Sequence, residues 1–170
     1  MARSTQSSGT TALLQCLDVQ REHVFGILDG LDETALRRPV LPSGWTSLGM
    51  VKHLALDVER FWFGAVVAGG QVAIDGLAKE DQAWQVSSEV PSCDVFELYR
   101  QEIARANHIV EASSLDAEPA WWPGDPFGDR GAHTLQKIIL HVIAETACHA
   151  GHLDAVRELI DGRKWLVLTE

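Results

Sequence analysis

Glu145 and His149 stand four residues apart in the run Glu145-Thr146-Ala147-Cys148-His149-Ala150-Gly151-His152. On a helix this spacing brings both side chains out on one face, one turn apart, as two ligands of a single metal ion require. With about 100° per residue and His141 at zero, His152 falls at about 20°, Glu145 at about 40° and His149 at about 80°. Ile138 and Val156 fall at about 60°, Val142 at about 100°, and Leu135 and Leu153 at about 120°. The ionisable residues therefore share the apolar sector of the helix. Burying a carboxylate and imidazoles there is costly unless they are paired or bound to a cation. Histidine is also the commonest metal ligand.

A partner for this pair lies upstream. In the stretch from Ser47 to Ala68, His53 sits on the edge of a stripe formed by Met50, Leu54, Phe61 and Ala68, with Asp57 beside it and Glu59 and Arg60 off it. Helix bundles build metal sites from side chains on facing helices. His53, Glu145 and His149 are thus the candidate triad, and two imidazoles with one carboxylate leave open positions, as in a catalytic zinc. Asp57 is placed either to accept from the His53 ring or to remain a solvated carboxylate. His141 and His152 share the Glu145 sector as ligands, supports or proton carriers facing a substrate. His23, His108 and His133 are expected at the surface or in ordinary hydrogen bonds, and Cys148 as a small buried hydrophobe.

Four helices must position these groups. Apolar spacing predicts helices over Thr11–Asp29, from Ser47 to the Gly69-Gly70 break, from Asp94 (with Glu97 as its capping-box partner) to about Ser113, and from about Thr134 to Gly162. The last, of about 27 residues, is about 40 Å long. Such a pattern implies an all-α four-helix bundle in one domain over residues 1–170. The connections over 69–91 and 114–133 are longer than a hairpin needs. The second holds Trp121-Trp122-Pro123-Gly124-Asp125-Pro126-Phe127, which either plugs the bundle end or roofs a pocket.

Composition narrows the functions. A formal charge of -10 on 170 residues argues against a nucleic-acid partner, which needs a concentrated positive surface. No apolar run approaches the roughly 18 residues of a membrane span. The polar stretch Met1 to Thr11 lacks an apolar signal core, and three cysteines, Cys16, Cys93 and Cys148, make a poor disulfide framework, so a cytoplasmic protein is expected. No H-E-x-x-H, G-x-S-x-G or P-loop motif occurs. Seven histidines and six tryptophans are many for such a chain. Trp62 and Phe63, read as exposed, hint at a helix–helix interface between copies.

Two segments resemble one family. Gly44-Trp45-Thr46-Ser47-Leu48-Gly49-Met50-Val51-Lys52-His53-Leu54 and Glu145-Thr146-Ala147-Cys148-His149-Ala150-Gly151-His152-Leu153-Asp154 are similar to the actinobacterial branch of the DinB/YfiT-like superfamily. That branch includes the metal-binding domain of mycothiol-dependent maleylpyruvate isomerase, though the likeness does not extend to the isomerase's second domain. It implies an up-down-down-up bundle with long crossovers, often a homodimer. It also implies a divalent metal, zinc or nickel, on one histidine of the second helix and two ligands of the fourth, matching His53, Glu145 and His149. His152 stands where other members carry a glutamine. Mycothiol as co-substrate, and a transferase or isomerase acting on a small electrophile, are the implied chemistry, with His141 or His152 moving the proton. A metal-dependent hydrolase and a non-enzymatic ligand-binding bundle are the alternatives.

Overall fold

The computed structural model describes residues 8–77, 83–124 and 133–165. Helix α1 spans Ser8–Leu28 and α2 spans Glu33–Arg37, α2 being capped by Asp32, which accepts from the Ala35 N–H at 2.8 Å. Helix α3 spans Ser47–His53 and continues as a π-helical stretch over Leu54–Val67. Its cap is Thr46 rather than Ser47, through a bond from the Gly49 N–H to Oγ1 at 3.0 Å. Helices α4, α5 and α6 span Gln71–Leu77, Ser92–Glu111 and Leu135–Asp161. Helix α6 follows its sequence pattern closely: Thr134 caps its start, and Gly162, in the left-handed region at φ 79, ends it.

Side-chain pairs fix the directions of the four long helices. Ile27 meets Arg157 and His23 meets Asp154, so α1 and α6 run parallel. His53 lies against His149 and Trp62 against His141, so α3 with its π stretch runs antiparallel to α6. Lys52 shares a cavity wall with Val95 and Leu98, and Arg60 bonds to Glu102, so α5 runs with α3. The order is up-down-down-up, and the parallel α3–α5 pair requires the long crossover over 68–91.

The π stretch changes the second helix most. The Ala68 N–H reaches back to the Phe63 carbonyl at 3.0 Å, five residues away. Wider turns lag an α-helical wheel, so residues beyond His53 rotate progressively off the faces that wheel assigns. Glu59, expected off the core stripe, is 1% exposed, and Trp62 and Phe63, expected to be exposed, are 8% and 0% exposed. They belong to the core and offer no interface. The third helix also starts two residues before Asp94, after Pro91 and without a side-chain cap, so the Asp94–Glu97 capping box does not form. Ile103 of its predicted stripe is only partly buried, while Glu102 is buried in its place.

Burial of Glu59 is offset by Arg21, whose Nε and Nη2 donate to its two oxygens at 2.8 and 2.7 Å. Arg21 also donates to Asp18 and to Asn107, joining α1, the π stretch and α5 at one point. Burial pushes the Glu59 carboxyl above its usual range, against the pull of the guanidinium. Removing one partner strands a buried charge, which costs far more than replacing both. Arg21→Ala is expected to destabilise the protein by about 3–5 kcal/mol in chemical denaturation. Arg21→Met with Glu59→Leu should recover most of that loss.

Candidate metal centre

Two helices bring the three predicted donors together. His53 ends the α-helical part of α3, while Glu145 and His149 lie at mid-length of α6. One ligand atom from each of His53, Glu145 and His149 lies within 4.8 Å of the others, a spacing that could hold a metal ion. Nε2 of His149 is 3.2 Å from Oε1 of Glu145, and the His53 and His149 rings meet edge to face with centroids 5.0 Å apart.

The His53 ring is held by a second group. Nδ1 of His53 lies 2.8 Å from Oδ2 of Asp57. An ionised carboxylate only accepts, so Nδ1 carries the hydrogen and Nε2 keeps its lone pair. Burial, with the neighbouring His53 acting in the same direction, pushes the His149 imidazole below its usual pKa, against the attraction of Glu145. That favours the neutral ring, the form that binds metals. Nδ1 of His149 is buried without a hydrogen-bond partner. A divalent ion fits this donor set: nitrogen and carboxylate ligands, partly buried, with protein partners that leave the imidazoles incompletely satisfied.

The remaining candidates divide. His141 is half-exposed, with Nε2 4.0 Å from Oε2 of Glu145 and its ring edge-on to Trp62 at 4.7 Å. His152 sits 5.8 Å from the His149 ring and 6.4 Å from that of Trp45, outside the triad. His23 behaves as expected, bonding to Asp154 at 2.8 Å and stacking on Trp165. His108 is exposed, and so is Cys148, which is not the buried hydrophobe expected of it. His133 is more than a helix-entry residue: it stacks on Trp122 at 4.2 Å and lines a cavity with Trp62 and His141. Trp122 therefore forms a pocket wall, as the aromatic connection allowed; Asp125, Pro126 and Phe127 lie outside the described residues.

Sequence reasoning did not anticipate Trp84. Its indole stacks on His53 at 4.0 Å and meets His149 edge-on at 5.9 Å, walling one side of the donors. The reach is set by Gly49, whose missing Cβ leaves room for the Trp84 backbone carbonyl. A glycine in a helix interior facing a tryptophan-bearing connection is the only trace of this contact in the sequence.

The family model described as Mycothiol-S-transferase matches residues 12–162. No curated protein and no solved structure matches the chain.

A Cβ at position 49 must push the Trp84 backbone away. Gly49→Ala should therefore destabilise the fold by about 1–3 kcal/mol. It should also alter tryptophan fluorescence, which a surface control such as Gly151→Ala, with open space at its Cβ, should leave unchanged.

Proposed function

The chain belongs to the Mycothiol-S-transferase family, and from that premise we propose a metal-dependent transferase that joins the sulfur of mycothiol to a small electrophile. The observation that carries the reading is the convergence of His53, Glu145 and His149 within 4.8 Å. These residues would hold a divalent ion, zinc before nickel, since two imidazoles and a carboxylate with open positions suit catalytic zinc. When bound, such an ion keeps a thiol deprotonated near neutral pH.

The chain's own groups do the rest. Asp57 fixes the His53 ring, and Trp84 covers one side of the donors so that reactants enter from another. His141, beside Glu145 and half-exposed, is the group to take the thiol proton and release it to solvent or product. His152 is the second candidate proton carrier, beside His149 and Trp45. The proposed setting is the cytoplasm, where thiols stay reduced; Cys16, Cys93 and Cys148 are all free and exposed. No helix among the described residues is long and apolar enough to cross a membrane. A homodimer is proposed on the family resemblance, without Trp62 and Phe63, which are buried.

Purified protein is expected to bind one equivalent of zinc, with His53→Ala, Glu145→Ala and His149→Ala each losing it in equilibrium dialysis. A chelator should lower the Tm of the wild type, because a ligand bound only to the folded state stabilises it. Asp57→Asn should keep the stoichiometry but weaken affinity about 10–100-fold.

Metal-loaded protein with mycothiol and a chloronitroarene should form the thioether. One C–S bond replaces one C–Cl bond, with chloride and the thiol proton released. The gain in rate should vanish on metal removal. Turnover of ester substrates without thiol consumption would instead assign the same site to a hydrolase.

A further inference from the structure

Trp84 reaches the donors from the connection that precedes α5, and residues 83–92 of that connection form an exposed strap. Among them only Ala83 is buried. Polar ties hold the strap to the helices. Nζ of Lys52 donates to the Gln85 carbonyl at 2.8 Å. From α2, Arg37 donates to the carbonyls of Ser87, at 3.1 Å, and of Val90, while Glu33 accepts from the Ser92 N–H at 2.9 Å. Between these ties a cavity of about 430 Å³ lies under the strap, with Gln85, Val86 and Val90 on one side and Val95 and Leu98 of α5 on the other. A segment with few buried apolar contacts opens easily. Its closest attachment is at the candidate metal centre. There the Trp84 backbone enters the notch left by Gly49, and the indole stacks on His53 at 4.0 Å, inclined by 19°.

We propose that Trp84 is a positioning residue of the metal centre, and that docking of the strap and ion binding at His53 reinforce each other. The inference rests on the metal centre of the proposed function and not on the transfer reaction. Two perpendicular restraints act on the His53 ring. Asp57 holds it in its plane, through Nδ1 at 2.8 Å, and Trp84 holds its face. Together they fix both the position and the tilt of the ring, while the indole offers no lone pair to compete for Nε2.

The stack also depends on charge. An imidazole that shares its lone pair with a divalent ion becomes more positive, and the negative face of an indole attracts it more strongly than a neutral ring. Stacking is therefore stronger in the ion-bound state. Linkage is reciprocal, so the ion tightens the strap, and whatever docks the strap raises affinity for the ion. Arg37 provides a remote handle on this coupling, because it bonds to the strap and to Glu33 on α2 rather than to a donor.

Zinc affinity, measured by competition with a chromophoric chelator, and hydrogen exchange of the 83–92 amides test the coupling apart from turnover. Trp84→Leu keeps apolar bulk without the ring; it should still bind one equivalent of zinc, about tenfold more weakly. Trp84→Phe retains a π face and should lose no more than about threefold. Arg37→Met should weaken zinc binding about fivefold through the strap alone. Zinc should slow exchange across 83–92 in the wild type and not in Trp84→Leu. Equal losses in the Leu and Phe variants would overturn the proposal, as would zinc affinity untouched by Arg37→Met or strap exchange unchanged by zinc. If the wild type binds zinc and Trp84→Leu binds it as tightly, this inference fails and the metal centre stands. If the wild type binds none, both fail.

Discussion

Placing ionisable groups inside an apolar bundle is the constraint on which this structure depends, and it is met in two different ways. At the contact of α1, the π stretch and α5, Glu59 is buried and neutralised by the two-pronged Arg21 guanidinium. At the contact of α3 and α6, His53, Glu145 and His149 converge with one negative charge and no lysine or arginine in the group. Imidazoles supply lone pairs or, when protonated, charge, but burial disfavours the protonated His149 ring. The first centre is complete within the protein. The second lacks a permanent positive charge, the one component that a divalent cation supplies.

Helix α6 carries this constraint along its length, because its interval-of-four row spans two environments. Toward its start, Lys137 and His141 face the tryptophan-walled cavity. Further along, Glu145 and His149 meet α3. The antiparallel α3–α6 pairing fits the row on both sides, since Trp62 reaches His141 while His53 reaches His149. Nine residues on the π stretch side span eight on α6, so the two contacts stay in register despite the wider turns.

How much of this was legible in the sequence follows from helix regularity. Helix α6 has uninterrupted α geometry, and its projection placed Glu145, His149, Val142 and Leu153 on their observed faces. His53 lies on the side of α3 that the wheel gives it, and Asp57 takes the first of its two alternatives, lying 2.8 Å from the His53 ring, since both are close to the α-helical start of α3. Beyond His53 the wheel failed on Glu59, Trp62 and Phe63, because no residue pattern announces a π turn as proline announces a kink. Trp84 and the cavity were illegible for another reason. Both are made by connections folding back on the helices: Ala120 and Trp121 donate backbone hydrogen bonds to Val67 and Val66, which seats Trp122 at Trp62.

The abundance of histidine and tryptophan has a common cause in these contacts. Six histidines lie against an indole: His23 on Trp165, His53 and His149 on Trp84, His133 on Trp122, His141 on Trp62, and His152 on Trp45. An indole excludes water from one side of an imidazole without competing for its nitrogens, since its only polar atom is a single N–H donor. A lysine or glutamate in the same place would bond to the ring or shift its charge. Tryptophan walls thus lower the local dielectric while leaving the imidazole lone pairs available to a cation or a proton.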